Sequence, residues 1–158
     1  MPYIMLILAG LCATAFSILV QKLYVIISQS GVSVAQLFTF LLVKRQGYKA
    51  DLGQENYRLH LGLLACYLIG IFFVCCYYLL WKIGIGKPDV INALLFGIVH
   101  GLLSILLTKI CLKKELPAVG ITTHFYVSLL VAHVAFAITA ILSYNLTTQL
   151  LRIGEIQP

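Results

Sequence analysis

The chain has 158 residues, 61% of them hydrophobic and 10% charged, and its mean hydropathy is +1.02. So little charge excludes a soluble domain of this size, and the length predicts one integral membrane domain covering 1–158. The net charge of +6 does not point to nucleic acid, because the lysines and arginines flank the apolar runs, where topology and anionic head groups account for them.

The first apolar run goes from Tyr3 to Ser28. A spanning helix needs about 20 mainly apolar residues, and this run supplies them. It has no charged leader and no Ala-x-Ala site, so it reads as a retained helix. Next, Val34, Leu37, Phe38, Leu41 and Leu42 repeat at helical spacing in a stretch too short to span. This predicts an interfacial or shallow re-entrant helix at about 33–45, followed by a polar loop from Gln46 to Arg58. The second span is predicted from Leu59 to Trp81, with Tyr77, Tyr78 and Trp81 as a membrane-interface anchor. A tight turn with Gly84, Gly86 and Pro88 follows, and Asp89 is placed to cap the third span, Val90 to Leu112. A second tight turn over 113–117 leads to the fourth span, Val119 to Asn145. All four runs are continuous rather than alternating, so they predict helices and not a barrel. Short connections make consecutive spans neighbours. The expected fold is an all-α, up-down-up-down four-helix membrane bundle with the short helix in its first loop.

Basic residues set the expected orientation. Lys22, Lys44, Arg45, Lys49, Arg58, Lys109, Lys113 and Lys114 fall on one side. Lys82, Lys87 and Arg152 fall on the other. The heavier side is read as cytoplasmic, which puts both termini outside, in the cell's inner (plasma) membrane. A faint repeat lays Gly10–Lys22 over Gly97–Lys109 and Cys66–Tyr77 over His133–Tyr144. Two parallel hairpin halves would produce such a pattern.

Small residues recur at spacing four, which lets membrane helices approach closely. Gly62, Cys66 and Gly70 share a face of the second span, and Gly97 and Gly101 form a GxxxG in the third. Ala9, Ala13 and Ser17, and Ser128, Ala132 and Ala140, do the same on the first and fourth. A tight monomeric bundle is the expectation, with a homo-oligomer or a membrane-complex partner as the rival use of these faces.

The histidines are the main ionisable groups inside the spans, and such residues are often functional. His100 and His133 fall mid-span on neighbouring helices and are expected to meet. His60 and His124 lie near span starts as weak metal-ligand candidates. His124 and His133 are nine apart, about 180° round a helix, so they face opposite ways. Four uses of the central pair stay open: interhelical hydrogen bonding, haem held by two axial imidazoles, a metal site, or proton relay. A metal site normally needs three or four ligands, and the spans hold no carboxylate. The absence of Asp and Glu there also removes any Ser-His-Asp constellation, so no catalytic site is expected. Cys12, Cys66, Cys75, Cys76 and Cys111 fall in spans without zinc-finger spacing and read as small apolar residues.

Gly97-Ile98-Val99-His100-Gly101, with Ala9-Gly10 and Thr14 in the first span and Ala132-His133 and Ala137 in the last, resembles a loose group of small, uncharacterised bacterial four-helix integral membrane proteins. These share a Gly-Ile-x-His element in the third helix. This chain departs from the group in the second helix, where Cys66 stands at the place of a histidine. The resemblance implies architecture and no activity. The leading functional expectation is a membrane protein without a catalytic site, an accessory or packing subunit of a membrane assembly. The alternatives are a haem-binding electron-transfer bundle using His100 and His133, and a small transporter or lipid-handling protein.

Overall fold

The computed structural model describes residues 2–28, 32–44, 59–111 and 121–154. Over these residues it holds five helices and no strand: α1 (Pro2–Ser28), α2 (Val34–Lys44), α3 (Leu59–Lys82), α4 (Val90–Cys111) and α5 (Thr123–Gly154). Four of them, all but α2, are long and apolar enough to cross a membrane. The loop expected at 46–58 and the turn expected at 113–117 lie outside the described residues. α5 continues past Asn145, because Thr147 and Thr148 hydroxyls donate to the carbonyls of Ser143 and Tyr144 one turn back. Polar residues satisfied within the helix do not end it.

Local chemistry fixes the helix ends. α2 opens with a reciprocal cap. The Ser33 hydroxyl accepts the Gln36 N–H at 3.3 Å, and the Gln36 side-chain oxygen accepts the Ser33 N–H at 2.8 Å. α3 closes with Gly84 at a φ of +86°. There the Ile85 N–H bonds back to the Leu80 carbonyl and the Gly84 N–H to that of Trp81, which satisfies two orphan carbonyls.

Asp89 caps α4: its carboxylate accepts the Asn92 N–H at 2.8 Å and the Asn92 side-chain amide at 2.9 Å. The backbone bond from Asn92, then its side-chain bond, hold this carboxyl below the usual carboxylate range. A lowered folded-state value means that the contribution is present above about pH 4, the unfolded value, and is lost as pH falls through the folded one. Asp89→Ala should therefore lower the thermal midpoint in detergent at pH 7, and the gap from the native chain should be smaller at pH 3. An equal gap at both values would remove the ionised cap from the account.

α1 packs on α3 and on α5, α4 packs on α5, and α2 packs on α3. Side chains close the ring between α3 and α4, with Tyr77 against Phe96 at 5.2 Å. Small residues make these approaches. Ala9, Ala13, Ala137 and Ala140 are buried beside Leu6, Val74, Tyr77 and Phe136 in one cluster. A second cluster at the other end joins Leu37 of α2 to Phe125 and Leu129 of α5. Glycines mark the tightest crossings. A methyl on Gly10 would stand 2.8 Å from Ile71 Cα, and one on Gly97 2.7 Å from Val134 Cα. Outward faces carry large apolar side chains, such as Leu64, Leu68 and Phe72 on α3 and Val99, Leu102 and Leu106 on α4. Contiguous apolar surface of this kind is rare on a water-soluble monomer.

Tyr77 is turned into the bundle and is 4% exposed, whereas the belt reading placed it at the membrane interface. Its hydroxyl has a partner inside, so a buried position satisfies it. Trp81 and Tyr78 pack against Tyr144 near the end of the bundle.

Candidate functional site

The α4–α5 crossing brings two histidines together. Gly97 and Gly101 remove the side chains that would hold the helices apart: a methyl on Gly101 would meet Leu130 Cδ1 at 2.7 Å and His133 Cβ at 3.3 Å. His100 and His133 then sit edge to face, with ring centroids 4.4 Å apart and planes at 80°. The His133 Nδ1–H donates to the Leu129 carbonyl at 2.6 Å. In the neutral ring this makes Nε2 an acceptor, and the Ser104 hydroxyl donates to it at 3.0 Å. Both nitrogens of His133 are thus engaged.

His100 differs. Its Nδ1 lies 3.0 Å from the Tyr77 hydroxyl. If the ring donated from Nδ1, both the phenolic proton and the Nε2 lone pair would be left over. If Tyr77 donates to Nδ1, only Nε2–H is left over. The second arrangement satisfies more groups and puts the ring proton on Nε2. That atom is buried and has no partner. The Phe73 ring lies against His100 at 3.7 Å between centroids.

A cavity of about 470 Å³ runs from this pair along the bundle to α2. Its volume falls in the range of small-molecule sites, roughly 300–1,000 Å³. Val34, Leu37, Phe38 and Leu41 of α2 line one end of it. Four of the five residues of the α2 apolar stripe therefore face the cavity, and Leu42 is exposed. α2 reaches this position by laying its opposite side on Gly62, where a methyl would collide with the Ala35 backbone oxygen and Thr39 Oγ1.

Most polar groups on the cavity wall have local partners. The Thr14 hydroxyl donates to the Gly10 carbonyl at 2.7 Å, Ser17 to Thr14 at 3.1 Å, and Thr108 to Ser104 at 2.7 Å. Gln21, which is 4% exposed, is an exception. Its side-chain oxygen accepts the Val34 N–H at 3.0 Å, tying α1 to the start of α2, and its Nε2 is buried without a partner. Among the described residues none that lines the cavity is Asp, Glu, Lys or Arg.

Among the residues singled out from the sequence, His100 and His133 meet, and Gly97 and Gly101 lie under them. Gly70 packs against Thr14 on α1, and Cys66 is half-buried on the cavity wall. Gly62 seats α2. His60 and His124 are exposed at the starts of α3 and α5, apart from the central pair. Among the described residues no three His, Cys, Asp or Glu side chains gather as a metal site. Haem ligation by His100 and His133 would require the Ser104 bond to His133 Nε2 to open and the touching rings to part to make room for the macrocycle. Sequence reasoning missed Gln21 and the inward role of Tyr77. The signal for Gln21 was present: Gly10, Thr14, Ser17 and Gln21 recur at three and four residues, a polar stripe on one face of an apolar helix.

No known family, no curated protein and no solved structure matches this chain. The likeness to small bacterial four-helix proteins therefore rests on the few residues quoted for it.

Proposed function

We propose that the chain is a multi-pass protein of the cell's inner membrane that takes a lipophilic molecule into the cavity between its helices. The observation that carries this reading is the 470 Å³ space, walled by apolar side chains and ending at a pair of histidines. A chain serving only as a packing subunit has no need of such a space, because close packing is what holds membrane helices together. Opposed pairings along neighbouring helices support the up-down-up-down arrangement: Gly10 meets Ile71 while Thr14 meets Gly70, and Met5 receives a bond from Thr148. α2 lies at the bundle end, with Leu42 outward, in keeping with an interfacial position. The charge asymmetry of the sequence favours a cytoplasmic place for that end and external termini.

The test is saturable binding of an environment-sensitive lipophilic fluorophore to the purified chain in detergent. Ala132 is buried and Ser17 half-buried on the cavity wall, so Ala132→Phe and Ser17→Phe should each weaken binding at least tenfold. Val131→Phe, on the exposed side of α5, should not. Non-saturable binding by the native chain, or undiminished binding by both plugged variants, would defeat the reading.

A further inference from the structure

The cavity wall is not chemically even. The hydroxyls of Thr14, Ser17 and Thr108 are spent on their own helices and that of Ser104 on His133, while two nitrogens, Gln21 Nε2 and His100 Nε2, are buried without partners. Each is left as a donor by the bond its neighbouring atom makes. The Gln21 oxygen is taken by the Val34 N–H, which leaves only N–H groups. The Tyr77 hydroxyl occupies His100 Nδ1, which leaves Nε2–H. Buried polar groups without partners are scarce in folded proteins, and two on one cavity ask for a common explanation. Charge narrows it further. Among the described lining residues there is no Lys, Arg, Asp or Glu, so an ionised ligand would find no counter-charge from them, and an uncharged one suits this wall better.

Resting on the cavity reading above, we infer that the occupant is an uncharged, elongated lipophile whose carbonyl oxygens accept hydrogen bonds from Gln21 Nε2 and His100 Nε2. His100 stands beside His133 and Phe136, and the neighbouring Phe136 ring reaches Gly70 at the level of Thr14. Gln21 lies seven residues further along α1, and His100 packs on Phe73, three residues beyond Gly70 in the opposite direction, so the two donors are on the order of 10–15 Å apart along the bundle at 1.5 Å per residue. At about 30 Å³ for a water-sized group, the volume accommodates roughly sixteen such groups between and around them. Both nitrogens are covered by neighbours, and the Phe73 ring stacked on His100 also lines the cavity, so the ligand oxygen reaches the imidazole as that phenyl moves aside. Carbonyl oxygens of this kind belong to neutral acyl esters and to quinones, which share the recognising chemistry.

The test displaces the lipophilic fluorophore from the full-length chain with three competitors of similar size: a long-chain alkane, a neutral acyl ester and an alkyl quinone. The ester, the quinone or both should displace it at concentrations at least tenfold below the alkane, and the tighter of the two identifies the source of the carbonyl. Gln21→Leu and His100→Phe remove one donor each, and each should bring the carbonyl-to-alkane ratio down toward one. Tyr77→Phe, which frees the His100 tautomer, should lower the ratio while retaining the imidazole. If the native chain is displaced equally by all three, the donors are satisfied by water and the inference is overturned while the cavity reading survives. If the fluorophore never binds saturably, the cavity reading falls with it. If both single variants keep the full ratio, the assignment to these two side chains is wrong.

Discussion

Gly97→Val should separate α4 from α5 and destabilise the bundle more than any other single methyl-scale change at the histidine pair. The atoms in the way are backbone. A first methyl already stands 2.7 Å from Val134 Cα and 3.1 Å from the His133 carbonyl oxygen. No rotamer change relieves either contact, so the helices must move apart. Overpacking of this kind costs about 1–3 kcal/mol, and the second and third carbons of valine add to it. The displacement also draws His133 away from Ser104 and His100, which are held at 3.0 Å and 4.4 Å. Interhelical hydrogen bonds in membranes average only about 0.6 kcal/mol, so the steric term dominates. Gly84→Ala is the useful contrast. That position has a φ of +86° and nothing within 4 Å, so only backbone strain, on the order of 1 kcal/mol, is at stake. Unfolding in mixed micelles by titration with a denaturing detergent measures both variants. A Gly97→Val protein within 0.5 kcal/mol of the native chain would contradict the described crossing.

The helices could be read from the chain because their cause is local. Four apolar runs of spanning length leave the backbone no other way to satisfy itself, and residues such as Asp89 and Gly84 mark their ends by their own chemistry. The meeting of His100 and His133 was also legible, since mid-span positions on neighbouring helices share a depth. The small-residue spacing carried more than expected. In the faint repeat, Gly10 corresponds to Gly97, and in the structure each lies at a close crossing with its partner helix, on Ile71 and on Val134. The cavity was not legible, because a void belongs to five helices at once and leaves no period in any of them. Tyr77 was misread for a related reason. An aromatic near a span end suits the membrane interface, and only the position of His100 across the bundle gives its hydroxyl a better place. The α2 stripe was seen as an apolar face, but which apolar medium it met, lipid or the bundle's own interior, depended on Gly62, twenty residues beyond Leu42.

That dependence makes Gly62→Val the sharpest way to divide structure from function in this chain. A methyl there runs into the Ala35 backbone oxygen and Thr39 Oγ1, so α2 has to lift from α3. The Gln21 bond to the Val34 N–H, 3.0 Å long, is then strained from the other side. Its loss leaves a further buried amide atom without a partner, at about 1–3 kcal/mol if it stays dry. The four long helices keep their own contacts, since α2 packs on α3 and their principal crossings lie elsewhere. The cavity, however, loses the wall made by Val34, Leu37, Phe38 and Leu41. The variant should therefore unfold within about 1 kcal/mol of the native chain once α2 has been released to the membrane surface, where its apolar stripe is accommodated. It should bind the lipophilic fluorophore at least tenfold more weakly, as tenfold corresponds to about 1.4 kcal/mol, less than the burial of one leucine side chain against a ligand. Hydrogen exchange over 34–44 gives the independent readout, and the α2 amides should exchange faster while those of α1 and α5 do not. Unchanged exchange over α2 would show that Gly62 does not seat it. Faster exchange with full fluorophore binding would show that the four α2 side chains are dispensable to the cavity, and the site would then have to be built from the spans alone.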